Sequence, residues 1–148
     1  MRKIEHIIIH CSATPEGRHH TLADIDRWHK ERGFATVDGI TVGYHYVIQL
    51  DGTLETGRPH KRAGAHARGR NRNSIGICYI GGLDKNMKPK NTLTAAQKHK
   101  LEITVKKLLY DYPQAKVSGH YNWASKDCPC FDVQDWCKSV GIQEKHIT

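Results

Sequence analysis

The chain arranges its hydrophobic and polar positions in patterns that predict strands and helices. Five segments are dense in β-branched residues or alternate with a period of two, which is typical of strands. They are 4–11, 43–50, 53–57, 74–82 and 116–120. The dipeptide Asp51–Gly52, between the second and third segments, is a typical hairpin turn. These patterns predict one hairpin and three further strands.

Three other segments predict helices, and they span 21–33, 94–112 and 132–140. Each begins at a residue whose side chain can cap a first turn, namely Thr21, Thr94 and Asp132. The resulting order, β-α-β-β-β-α-β-α, favours an α/β fold with a mixed central sheet flanked by helices. In sheets of this kind, functional sites are usually built at the ends of strands.

The composition is that of one soluble globular domain covering residues 1–148. The 148 residues are 38% hydrophobic and 26% charged, and a chain of this length can bury its own core. Near the N-terminus only "III" is continuously apolar, which is too short for a signal peptide or a membrane span. We therefore expect synthesis in the cytoplasm without a signal peptide, and any export must come from elsewhere.

The chain is strongly basic, with a net charge of +8. A basic surface favours polyanions, and nucleic acid, anionic lipid and bacterial cell-wall polymers all belong to this class. The charge alone does not choose among them. No helix-turn-helix or zinc-finger pattern accompanies it, so we expect no binding of nucleic acid.

The five cysteines and two of the histidines suggest a metal site. An odd number of cysteines without a secretion signal argues against a disulfide framework. His10, His120 and Cys128 would supply two imidazoles and a thiolate, and a catalytic zinc site needs three protein ligands of these types. Because 110 residues separate the two histidines, spacing alone does not show that they meet. Two structural histidines and a buried thiol remain the alternative.

Five motifs occur in the order of a known family. They are "IIIHCSAT", "WHKERGF", "GYHYVIQLDGTLETGR", "GAHARGRNRNSIGICYIGG" and "GHYNWASKDCPCFD". Together they resemble the zinc-dependent N-acetylmuramoyl-L-alanine amidases of the type 2 family, most closely its T-odd phage members. That family is related to the peptidoglycan recognition proteins. The resemblance extends from His10 to about Trp136.

This resemblance implies an enzyme with one zinc ion. It assigns His10, His120 and Cys128 as the zinc ligands and Tyr44 and Lys126 as catalytic residues, with Cys130 as a bystander that could still compete for metal. The implied reaction is hydrolysis of the amide between N-acetylmuramic acid and L-alanine in peptidoglycan, in a phage or prophage endolysin. A lysine near the metal would stabilise an oxyanion, and a tyrosine would orient the water.

The loop before the fourth strand offers candidate substrate contacts. His66 resembles a family position that lines the substrate groove, although an ordinary solvated loop explains it equally well. Arg68, Arg70 and Arg72 make this loop densely positive. They form either a solvated surface or a site for the carboxylates of the stem peptide, which arginine binds in bidentate fashion. We select His66 and Arg68 as the substrate-binding residues.

Two other functions remain open. Some relatives bind peptidoglycan without cutting it and typically lack the zinc cysteine, whereas this chain has Cys128. A T-odd phage relative also inhibits its RNA polymerase, although nothing in this sequence supports that role. We expect a monomer whose partner is peptidoglycan.

Overall fold

The fold contains seven strands and three α-helices within residues 2–148, the part of the chain described by this computed structural model. The strands are β1 (His6–Cys11), β2 (Thr14–Pro15), β3 (Tyr46–Ile48), β4 (Leu54–Thr56), β5 (Ser74–Tyr79), β6 (Gly82–Leu83) and β7 (Lys116–Gly119). The helices are α1 (Leu22–Glu31), α2 (Ala95–Asp111) and α3 (Val133–Ser139). Short 3₁₀ turns lie at Asn71–Asn73, His120–Asn122 and Glu144–His146.

The main sheet has five strands in the order β4-β3-β5-β1-β7. Only the β3–β4 hairpin is antiparallel among the pairs of this sheet, as the Asp51–Gly52 turn predicts. β1 therefore lies between two parallel neighbours. Its carboxyl end is at the same edge of the sheet as the carboxyl ends of β5 and β7.

Helices cover both faces of this sheet. Ile7 and Ile9 of β1 belong to a core that includes Leu101 of α2 and Val133 of α3. A smaller cluster around Ile25 of α1 covers the opposite face. Full burial of each such side chain contributes about 1.5–3 kcal/mol. The predicted mixed α/β fold is thus confirmed.

The helices begin at the predicted caps. The Thr94 hydroxyl accepts a hydrogen bond from the Gln97 N–H at 3.0 Å, and the Thr94 N–H donates to Gln97 Oε1 at 3.0 Å. Asp132 accepts from the Asp135 N–H at 2.9 Å. None of the helices in residues 2–148 is both long and apolar enough to cross a bilayer.

The prediction for residues 43–50 is wrong in its extent, because β3 includes only Tyr46–Ile48. Part of the preceding backbone is bonded to a loop: the Gly43 carbonyl accepts from the Ala65 N–H at 3.0 Å. Here the alternating pattern predicts which side chains face inward and which face outward. It does not predict where the pairing of the strand begins or ends.

The sequence patterns also missed the two-stranded sheet formed by β2 and β6. Each of these strands has only two residues, which is too short for periodicity to be detected. The predicted strand 74–82 ends at Tyr79, and positive φ angles at Gly81 and Gly82 turn the chain towards the second sheet.

Candidate active site

Two histidines lie side by side at the carboxyl edge of the sheet. His10 is near the end of β1, and His120 directly follows β7. Ile9 pairs with Gly119 in the parallel register, and the residue that follows each of these two is one of the histidines. Their ring centroids are 4.5 Å apart. The register of the sheet therefore brings together two residues that are far apart in sequence.

Cys128 reaches the same edge from the loop after β7, and several hydrogen bonds hold it there. The Tyr121 N–H donates to the Cys128 carbonyl at 2.9 Å. The Tyr79 hydroxyl donates to the Pro129 carbonyl at 2.6 Å. The Cys11 N–H donates to Cys128 Sγ at 3.2 Å. These bonds fix the sulfur next to the end of β1.

The three predicted metal ligands form one cluster. One donor atom from each of His10, His120 and Cys128 lies within 4.8 Å of the other two, and His10 Nδ1 is 3.9 Å from Cys128 Sγ. A tetrahedral zinc ion with bonds of about 2.1 and 2.3 Å would separate a nitrogen and a sulfur donor by about 3.5 Å. Two imidazoles and a thiolate are also donors that zinc prefers. The donor set fits a zinc ion.

Both imidazoles of the cluster favour the neutral form. Burial lowers the pKa of His10 well below its usual value, and the neighbouring His66, His120 and Lys126 lower it further. Burial and then Lys126 lower the pKa of His120. Only an unprotonated ring nitrogen binds metal, so these shifts suit the ligand role.

The cluster opens into a groove of about 680 Å³ with basic walls. Lys126 and Arg68, both predicted from the sequence, line it together with Arg32. Among the described residues that line this groove, none is acidic. The groove therefore favours ligands with negative charge.

Two residues of this groove, His29 and Arg32, were not predicted as site residues. His29 is buried, and its Nδ1 accepts from the Gly43 N–H at 2.9 Å. Burial, followed by the charges of Arg32 and Arg58, lowers the pKa of His29 to about 4. His29 lies in the last turn of α1, and Arg32, three residues further along the chain, directly follows the helix as its C-cap. That spacing within "WHKERGF" is the signal that could have found them.

Tyr44, the first predicted catalytic residue, lies beside the cluster and lines the groove. Its ring centroid is 5.1 Å from that of His10. Burial, followed by the nearby Cys78 thiol, raises the pKa of Tyr44 well above its usual value. The phenol is therefore protonated at neutral pH and is able to donate a hydrogen bond. Its catalytic role stays a prediction.

The structure separates the three arginines of the loop before β5. Arg68 lines the groove. The guanidinium carbon of Arg70 lies 4.4 Å from the ring centroid of Trp123, as in a cation–π contact. Arg72 lies in a different pocket with Lys61. Arg68 is thus the arginine of this loop that is available to a ligand in the groove.

His66 lies at the groove and is only 9% exposed. Its Nδ1 is 2.8 Å from His10 Nε2, and its Nε2 is 3.1 Å from the Ser74 hydroxyl. An ordinary solvated loop therefore does not describe this residue. His66 contacts a predicted metal ligand directly.

The cysteines outside the cluster do not contribute a ligand to it. All five cysteines, each within the described part of the chain, are free thiols. Cys130 Sγ faces Cys11 Sγ at 3.8 Å, and Cys130 is not part of the group of donor atoms around His10. That Cys130 is a bystander stays a prediction.

The fold and the cluster define the class of this protein: an α/β protein with a candidate hydrolytic metal centre at the edge of its sheet. A family model described as N-acetylmuramoyl-L-alanine amidase matches residues 1–131. The chain belongs to this family and is an N-acetylmuramoyl-L-alanine amidase.

Individual relatives agree with this assignment. The endolysin of Escherichia phage T7 is 41% identical over 130 residues, which cover 88% of this chain and 83% of the relative. Among solved structures, the N-acetylmuramoyl-L-alanine amidase LysC from Clostridium intestinale URNW is similar with a TM-score of 0.79 and 25% identity, covering 96% of this chain and 88% of that one.

A second structural neighbour shows the fold alone. Drosophila PGRP-LB has a TM-score of 0.77 and 24% identity, covering 100% of this chain and 86% of that chain. The expected likeness to the amidase and peptidoglycan-recognition fold is confirmed.

Proposed function

We propose that this amidase is zinc-dependent and hydrolyses the amide between N-acetylmuramic acid and L-alanine in peptidoglycan. The observation that carries the proposal is the cluster of His10, His120 and Cys128, of which His120 and Cys128 line a basic groove. We also propose that residues 1–148 form one zinc amidase domain and act on the bacterial cell wall as a phage or prophage endolysin. The name of the phage T7 relative supports this last point.

The residues of the cluster are suited to hold the ion. The two imidazoles favour their neutral form, as shown by the direction of their pKa shifts. The Cys11 N–H donates to Cys128 Sγ at 3.2 Å, and this bond holds the sulfur beside the two imidazoles. A zinc ion held by His10, His120 and Cys128 would polarise the amide carbonyl and would lower the pKa of a bound water molecule to about 7.

Lys126 and Tyr44 would act on the reacting amide from the groove. The Lys126 ammonium would stabilise the negative charge that develops on the carbonyl oxygen during attack by water. Tyr44 keeps its proton because burial raises its pKa, so its hydroxyl would donate a hydrogen bond that orients the water or assists its proton transfer.

Arg68 and Arg32 would bind the substrate away from the scissile bond. Both line the groove near the cluster, and guanidinium groups bind carboxylates with two parallel hydrogen bonds. The stem peptide of peptidoglycan carries carboxylates, so these two arginines would position it over the cluster. Binding of this kind contributes to catalysis by holding the amide in a reactive orientation.

The proposal is tested by a matched pair of cysteine variants. Cys128→Ser removes a proposed ligand, whereas Cys130→Ser removes a thiol two residues away that lies outside the cluster. The wild-type protein and Cys130→Ser should each bind one zinc ion per chain and release L-alanine N-termini from peptidoglycan. Cys128→Ser should lose both properties while its cooperative thermal unfolding is retained. Full activity in Cys128→Ser would contradict the ligand assignment.

A further inference from the structure

The two ring nitrogens of His10 face different partners. Nδ1 is 3.9 Å from Cys128 Sγ and belongs to the cluster. Nε2 is 2.8 Å from His66 Nδ1. With Nε2 occupied by another side chain, Nδ1 is the nitrogen that remains for a metal ion. The contact with His66 therefore bears directly on which tautomer His10 adopts.

If His10 binds metal through Nδ1, the hydrogen bond between His10 and His66 can have only one direction. A neutral imidazole has a single N–H, so the proton of His10 is then on Nε2 and is donated to His66 Nδ1. His66 in turn carries its proton on Nε2, which donates to the Ser74 hydroxyl at 3.1 Å. We propose that His66 is a positioning residue, which fixes the tautomer and the ring orientation of the metal ligand His10. This inference rests on the proposed zinc-dependent function.

The surroundings of His66 hold its ring in place. The N–H groups of His66 and Ala67 both donate to Asn71 Oδ1 at 2.9 Å. The ring also packs against two glycines. A Cβ at Gly76 would lie 2.7 Å from the ring, and a Cβ at Gly64 would lie 2.6 Å from it. A ring confined in this way can orient another side chain.

The same geometry argues against a direct role for His66 in binding substrate. Both ring nitrogens already have partners within the protein, namely His10 and Ser74. The side chain is also nearly buried. A ligand in the groove would have to displace one of these hydrogen bonds to reach a nitrogen. His66 thus acts on the reaction through His10, and Arg68 remains the groove contact from this loop.

Two polar substitutions of His66 distinguish a role in positioning His10 from a role in packing alone. In His66→Asn, the amide oxygen can take the place of Nδ1 and accept from His10. In His66→Gln, the longer amide reaches the place of Nε2, near Ser74, and leaves His10 without its acceptor. Zinc affinity is measured on metal-stripped protein by competition with a chromophoric chelator, and the thermal unfolding of each metal-free variant serves as the control for folding.

The expected result is a difference between the two variants. His66→Gln should bind zinc about 10–100-fold more weakly than wild type, the usual effect of losing the partner of a ligating histidine, and His66→Asn should remain much closer to wild type. Equal affinities in all three proteins, or equal losses in both variants, would overturn the positioning role. If the wild-type protein itself does not bind zinc, the proposed function fails and the inference fails with it.

A second measurement uses the wild-type protein and does not depend on the folding of a variant. Long-range ¹H–¹⁵N correlation spectra of the zinc-loaded protein report which nitrogen of each histidine carries the proton. His10 and His66 should both be Nε2–H tautomers. An Nδ1–H tautomer at His66 would place two donors face to face and would overturn the inference.

Discussion

His45 is a buried imidazole whose hydrogen bonds define its protonation state. It is fully buried, its Nδ1 accepts from the Gly76 N–H at 3.0 Å, and its Nε2 donates to the Arg62 carbonyl at 2.8 Å. Burial lowers its pKa to about 4, with Arg2 among the charges that contribute. The neutral ring satisfies both partners, as is typical of a structural histidine.

This shift predicts a loss of stability in acid. The unfolded chain has a histidine pKa of about 6.5, so between that value and about 4 the unfolded state binds a proton that folded His45 does not. The stabilisation is fully present above the unfolded pKa and is lost as the pH falls through this window. For His45 the loss amounts to roughly 3 kcal/mol.

The measurement is the free energy of unfolding in urea, with chelator present, at about pH 7 and about pH 4.5. His45→Gln is the control because it keeps a polar side chain that does not titrate. The wild-type protein should lose more stability than this variant over the window. Equal losses in the two proteins would show that His45 does not contribute to the acid sensitivity.

At the level of single residues, the motifs predict the cluster but not the contacts around it. His10, His120 and Cys128 are each found by their place in a motif. Their proximity depends on the parallel register of β1 and β7, which spacing does not encode. The contact between His10 and His66 is even harder to predict from the sequence, because it depends on the path of a loop with little regular structure. The sequence of such a loop has no hydrophobic periodicity from which its path could be predicted.

At the level of elements, the sequence predicts long segments better than short ones. All three predicted helices are present. The helices α1 and α2, with 10 and 17 residues, repeat an apolar stripe over several turns, whereas the seven-residue α3 is marked by its cap Asp132. Strands of two residues, such as β2 and β6, offer no repeat. β3 is shorter than its alternating pattern because part of the preceding backbone bonds to a loop.

Gln97 shows how one side chain connects three elements. It is fully buried in the first turn of α2. Its amide donates to the Ile48 carbonyl at 3.3 Å and to the Ile80 carbonyl at 2.9 Å, and its oxygen accepts from the Thr94 N–H. The helix cap predicted from the sequence is thus also a connection between α2 and the ends of β3 and β5.

Replacing this residue should destabilise the fold without affecting metal binding. Gln97→Met keeps a similar volume but removes the hydrogen bonds of Gln97 to the Ile80 carbonyl and the Thr94 N–H, at a cost of about 1–3 kcal/mol. Lys98→Met, at the exposed neighbouring position, is the control and should change stability by less than about 0.5 kcal/mol. Calorimetric unfolding and zinc titration measure both effects. Equal stability in the two variants would contradict the structural role assigned to Gln97.

At the level of the whole molecule, the structure shows where part of the positive charge lies. The net charge of +8 was compatible with several polyanions. The structure places Arg32, Arg68 and Lys126 around one groove, which His120 and Cys128 of the candidate metal cluster also line. Charge and groove therefore favour an anionic substrate, and the family match identifies the bond that is cleaved as an amide.

The most direct test of the central claim is the digestion of purified peptidoglycan, followed by labelling of the amino groups that become exposed. A zinc-dependent amidase should release new N-terminal L-alanine, lose this activity when a chelator removes the metal, and recover it when zinc is added back. New reducing sugar ends without new N-termini would identify a glycosidase and contradict the proposed reaction. Cleavage that persists unchanged in chelator would contradict the metal centre.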